Sequence, residues 1–162
     1  TPVALTPLQP NEATAVVMVG EHRGIGLHNL LWILRTFPNH FKNFIFVSVG
    51  IVDVESFSAK KELTTMQENT NEMLDYFVNY CQQQGLAAKG FAAYGTDPTE
   101  KLTRLSKKII KEFPHSLFFA SKLIFSKDNW ITRLLHNETA VMLQRRLHLL
   151  GVQLVILPMK ID

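Results

Sequence analysis

Three stretches of this chain combine residue types that hold anions or move protons. The first is Gly20-Glu-His-Arg-Gly-Ile-Gly26. Glycines let backbone N–H groups come close to a phosphate, and Arg23 sets a cation beside Gly20, Gly24 and Gly26. The spacing, G-x-x-x-G-x-G, matches neither the dinucleotide fingerprint nor the P-loop, and no Gly-Lys-Ser/Thr ending follows to hold magnesium. The same glycines equally suit a tight strand-to-helix turn with close packing. The second stretch is His136-Asn137-Glu138-Thr139. Asn137 has the chemistry of a helix N-cap, where amide N–H groups favour an anion, and His136 beside it offers a pH-sensitive contact, against the commoner role of a partly buried, hydrogen-bonded histidine. Glu138 already complements that dipole and repels a phosphate, so capping is the simpler role for Asn137. The third pairs Ser121-Lys122 with Asp53, each expected just past the end of an apolar strand.

Other reactive groups do not assemble into a catalytic set. His22, His28, His40, His115, His136 and His148 show no short metal-binding spacing with Cys81 or a carboxylate. No G-x-S-x-G nucleophile elbow occurs. Cys81 falls on the apolar stripe of a helix, the setting of a packed thiol. Asp53 and Glu55 are close in sequence, yet nothing marks them as an acid/base pair. The expectation is a non-enzymatic protein with no cofactor and no metal.

These residues must be carried by a regular alternation. Apolar runs at 14–20, 43–52, 87–94, 116–120 and 152–157 read as strands; 43–52 is almost continuously apolar, as strands covered on both faces are, and 87–94 is weaker because its Ala and Gly content lowers β propensity. Between them lie helical stripes. Leu27, Leu30, Leu31 and Leu34 recur before Pro38, with residues 21–26 read as a loop. A long helix over residues 59–84 stacks Leu63, Met66, Met73, Leu74, Phe77 and Cys81, and Gly85 ends it. Asp97-Pro98 opens the next, as N-cap and first residue, with Leu102, Leu105, Ile109 and Phe113 as its seam. Residues 129–135 read as one or two helical turns before the helix capped by Asn137, with Val141, Met142 and Leu149 as apolar positions and Gly151 as its end. This β-α-β alternation gives a doubly wound α/β sandwich with a five-stranded parallel sheet, expected order 3-2-1-4-5. Ligands on such sheets bind beyond the carboxyl ends of the strands, where strand order reverses. Gly20 to Gly26, Val52, Asp53, Ser121, Lys122, His136 and Asn137 should meet there.

The 162 residues suit one domain, residues 14–162, preceded by a leader or linker over 1–13 with Pro2, Pro7 and Pro10. No apolar run approaches the roughly 20 residues of a membrane span. A lone cysteine precludes an internal disulfide. Residues 1–100 hold 6 Lys/Arg and 10 Asp/Glu, and residues 101–162 hold 11 and 4. A basic half can face anionic lipid, nucleic acid or an acidic partner. The cluster Lys101, Arg104, Lys107, Lys108 and Lys111 lies on one amphipathic helix, as a solvated face does, and lacks the interleaved aromatics of a single-strand-binding surface. No nucleic-acid partner is expected.

The order of elements and the segment Trp130-Ile-Thr-Arg-Leu-Leu-His-Asn-Glu-Thr-Ala140 resemble the universal stress protein fold. Arg133-Leu134-Leu135 and Val155-Ile-Leu-Pro158 match that family's last third. Its phosphate-binding glycines do not recur: Ala120-Ser-Lys122 and His136-Asn137 stand in their place, and Gly20 stands where ATP-binding members often carry Asp. A resemblance over nearly the whole chain is to the soluble C-terminal domain of bacterial permeases of the amino acid–polyamine–organocation group. It rests on Phe41-Lys-Asn-Phe-Ile-Phe-Val-Ser-Val-Gly50, Gly95-Thr-Asp97, Phe118-Phe-Ala-Ser-Lys122, Leu135-His-Asn-Glu-Thr-Ala140 and Gln144-Arg-Arg-Leu147. This resemblance implies a regulatory or assembly domain on the cytoplasmic side of the inner membrane, partnered by the transmembrane part of the same polypeptide. Self-association through the strand at 152–157, if it forms a sheet edge, or a small ligand in the crevice would be its mode of action. The alternatives are a stand-alone nucleotide binder of the universal stress type and, more distantly, a hydrolase on the same fold.

Overall fold

The computed structural model describes residues 5–20, 23–52, 59–121 and 138–157. Five strands, β1 (Thr14–Met18), β2 (Asn43–Ile51), β3 (Ala87–Gly95), β4 (Ser116–Ser121) and β5 (Leu154–Leu157), form one sheet in the order β3-β2-β1-β4-β5. Every neighbouring pair is parallel. The described helices are α1 (Arg23–Thr36), α2 (Ala59–Gln83), α3 (Pro98–Glu112) and α4 (Glu138–Leu149). The doubly wound α/β fold expected from the alternation is therefore the fold observed. Strand order reverses between β1 and β4, and β5 is an edge.

The apolar strands bury both faces because a helical layer covers each. Val16, Met18, Ile45, Val47, Val49, Phe118 and Ala120 pack with Leu102, Leu105 and Ile109 of α3 and Leu143 and Leu147 of α4. Successive side chains alternate across the sheet, so Ala15, Val17, Val19, Phe44, Phe46 and Phe119 face α1 and α2. There Phe77 of α2 stacks on Phe46 with ring centroids 5.1 Å apart. Met73, Leu74 and Cys81 are buried beside it, while Leu63 and Met66, a turn or more earlier, are half-buried. Asp97 caps α3 as expected, accepting from the amides of Thr99 (3.0 Å) and Glu100 (3.2 Å), with Pro98 in the first turn.

Three expectations are corrected. Helix α1 begins at Arg23, so Gly24 and Gly26 lie in its first turn and not in a loop. The first turn needs no i−4 acceptor for its amides, so glycine is tolerated there, and Gly26 brings the helix close to the sheet. The buried positions of α1 are Gly26, Asn29, Leu30 and Ile33, and Leu31 is exposed. Among the positions of α4 whose burial is described, Leu143 and Leu147 are in the core while Met142 and Leu149 face solvent; Val141 is outside those positions. One i, i+4 pair suffices to close this short helix onto α3 and β5, and Met142 and Leu149 fall on the opposite side. Strand β5 starts two residues later than expected, because Gly151 takes a positive φ of 85° to turn the chain and Val152 bonds back to the Leu147 carbonyl. The helical turns at 129–135 and the Asn137 cap lie outside the described residues.

The leader is fastened to the amino ends of the strands. Thr6 donates its amide to Gln82 Oε1 (2.8 Å) and Gln9 donates to Asn43 Oδ1 (2.8 Å). Asn43 Nδ2 donates back to the Gln9 carbonyl (2.7 Å) and to Thr14 Oγ1 (2.9 Å). Leu8 packs onto the core beneath α3 and α4.

Candidate functional site

The reversal between β1 and β4 sets the candidate site at the carboxyl ends of those strands. Residues 19–22 join β1 to α1, only four residues in all. Val19 continues the β1 path by donating to the Val47 carbonyl (2.9 Å), and Gly20 after it is buried. Gly24 is exposed, and a Cβ there would meet nothing within 4 Å. Gly26 is different. A Cβ there would stand 2.4 Å from Phe77 Cζ and 3.1 Å from Val19 Cγ1. Its lack of a side chain serves the approach of α1 to α2 and β1, the packing role weighed against phosphate binding from the sequence.

Arg23 leans away from the crevice. Its guanidinium lies 5.0 Å from the centre of the Tyr76 ring and 3.8 Å from Glu72 Oε1, both on α2. This ion pair is open to solvent and holds the side chain only loosely. Ser121 closes β4, is buried, and falls on the α1 side of the sheet with Leu117 and Phe119. Asp53, Lys122, His136 and Asn137 lie outside the described residues. Of the expected set, then, Gly20, Gly24, Gly26 and Ser121 gather where β1, α1 and β4 meet, and Arg23 starts there but points to α2.

Sequence reasoning missed Asn29 in this layer. It is 1% exposed on α1, and its Oδ1 has no hydrogen-bond partner. A lone Asn among leucines is legible as an oddity, but the leucine spacing puts the buried face at Leu27, Leu30, Leu31 and Leu34, one residue out of phase with the face that packs. Cys81 is buried, and loss of solvent pushes its thiol up from 9.0 to about 12. It stays protonated at neutral pH and is no nucleophile. Among the described residues no group of three His, Cys, Asp or Glu is placed to hold a metal ion.

At the other end of the sheet a cleft runs between α4 and β5, lined by Gln144, Arg145, His148, Gln153 and Leu154. Gln144 Nε2 donates to the Leu154 carbonyl (3.1 Å), and Gln153 Nε2 meets His148 Nδ1 at 3.2 Å. Because the Gln153 carbonyl accepts from Phe118 of β4, the Leu154 carbonyl faces the open edge, and Gln144 covers it. No protein-family model matches the chain, and searches of curated proteins and of solved structures gave no significant match.

Proposed function

We propose that this chain is a non-enzymatic regulatory or assembly domain of a membrane transporter of amino acids or related molecules, acting on the cytoplasmic side of the inner membrane. The observation that carries the reading is how α1 uses its glycine-bearing first turn. A triphosphate is held by backbone amides left bare at a glycine turn and a helix start. Here four residues link β1 to α1, Gly26 is filled by Phe77, and Arg23 rests on α2. That commits this glycine-bearing turn to helix packing, and supports a domain that works by contact. Self-association through β5 belongs to this reading. The strand is an edge, but it is four residues long and Gln144 already occupies one outward carbonyl, so any pairing there is short.

The second reading, a stand-alone nucleotide binder of the universal stress type, is favoured by the strand order and its reversal between β1 and β4. Two measurements separate them. Membrane-spanning segments encoded directly upstream of Thr1 are expected, and deleting residues 1–162 from that polypeptide should alter transport rate or its regulation while leaving substrate selectivity intact. Submicromolar binding of a fluorescent ATP analogue, or a reading frame without membrane segments, would sink the first reading.

A further inference from the structure

Helix α4 carries an exposed stripe of unusual make-up. Met142, Arg145, Arg146 and Leu149 stand at i, i+3, i+4 and i+7, one face of the helix, opposite the buried Leu143 and Leu147. Met142 is 46% exposed and Leu149 is 83% exposed. Singly, exposed apolar residues need no explanation. Two of them bracketing adjacent arginines give one exposed face both kinds of contact that hold a helix to an anionic lipid surface, apolar side chains for the headgroup layer and guanidinium groups for phosphates.

The neighbouring helix extends the same charge. α3 lies on the same side of the sheet as α4 and shares its core. Among the residues of α3 and α4 whose exposure is described, Arg104, Lys107, Lys108, Lys111, Arg145 and Arg146 stand exposed against Glu100 and Glu112, six positive groups to two negative. Of these, Arg104 is held by Glu100 at 3.2 Å, and Lys108 Nζ sits 5.6 Å from the Phe91 ring centre. The opposite layer is balanced: α1 and α2 expose Arg23, Arg35, Lys60 and Lys61 against Glu62, Glu68, Glu72 and Asp75. Among the described helix residues, then, the basic excess lies on one face of the sandwich, and the two most exposed large apolar residues of those helices are on that face.

We propose that the α3/α4 face docks on an anionic lipid surface, with Met142 and Leu149 entering the headgroup layer and Arg145, Arg146 and the α3 lysines meeting lipid phosphates. Such attraction adds up over several charges and fades beyond a Debye length. A basic face alone suits any polyanion; the apolar pair in line with the arginines selects lipid. The inference does not require attachment to a transporter, and its failure would leave that reading standing. The test is co-sedimentation of the chain with vesicles of equal parts phosphatidylglycerol and phosphatidylethanolamine, and with pure phosphatidylcholine. Binding at least about tenfold tighter to the anionic vesicles is expected, weakening in high salt. Arg145→Glu with Arg146→Glu should lose about tenfold or more, Met142→Ser with Leu149→Ser should lose several-fold, and Lys60→Glu with Lys61→Glu should leave binding unchanged. All three pairs are exposed, so circular dichroism and melting should match the parent. Equal binding to both vesicle types, or no loss in either α4 variant, would overturn the proposal. Duplex DNA bound as tightly as the anionic vesicles would overturn it too, in favour of a general polyanion face.

Discussion

Replacing Gly26 by alanine tests the reasoning at the candidate site most directly. The added Cβ would lie 2.4 Å from Phe77 Cζ, well inside contact distance. Phe77 cannot swing aside, because it is fully buried and stacked on Phe46 at 5.1 Å with planes 18° apart. Overpacking of this kind costs about 1–3 kcal/mol. Alanine returns up to about 1 kcal/mol of helix propensity, less in a first turn, so the net loss is about 1–2 kcal/mol. For a chain of this size that is a fall in Tm of about 2–8 °C. Gly24→Ala is the internal control. It adds the same methyl in the same turn but meets nothing within 4 Å, so it should be neutral or stabilise by up to about 1 kcal/mol. Urea denaturation of both variants, with Phe77→Leu added to Gly26→Ala to restore room, reads out the difference. Gly26→Ala as stable as the parent, or a Phe77→Leu background that does not relieve it, would refute the packing role of this glycine.

Three further outcomes are expected. The buried Cys81 thiol has its pKa raised from 9.0 to about 12, so its contribution is full below pH 9 and is lost as pH rises from 9 toward 12; the difference in stability between the parent and Cys81→Ala should shrink over that window by about 1.4 kcal/mol per pH unit, measured by urea titration. Asn43→Ala removes the bonds to Gln9 and Thr14 from a fully buried position, and should cost about 1–3 kcal/mol and expose residues 5–12 to proteolysis; an unchanged digestion pattern would count against the fastening. Asp97→Ala should cost about 1 kcal/mol through loss of the cap on α3, with Asp97→Asn recovering most of it in the same denaturation assay.

Much of the architecture was legible in the sequence. Runs such as Phe44-Ile-Phe-Val47, short, aromatic and β-branched, read as strands covered on two sides, and Asp97-Pro98 states a helix start in two residues. The seam of α3 emerged residue for residue because its charged positions are so regular. The start of α1 was hidden because glycine weakens any helical pattern, and the reason for a glycine at position 26 is Phe77, a residue 51 positions later. Helix α4 misled in a related way. Its apolar residues outnumber its core places, so periodicity named Met142 and Leu149 where packing chose Leu143 and Leu147. The crevice was legible only as a location. Which side chains reach it depends on where Arg23 turns and on the burial of Asn29, neither of which has a local sequence signature.

Asn43 has a mechanical consequence. One amide side chain clasps the Gln9 backbone on one side and the Thr14 hydroxyl on the other, from a position at the start of β2. A pull on residues 5–9 is therefore delivered to β1 and β2 in the middle of the sheet, and through Thr6 and Gln82 to the end of α2. Those two strands run uninterrupted to the opposite rim, where Gly20 and Ser121 stand. Strain entering at one pole of the domain has a stiff, short route to the other.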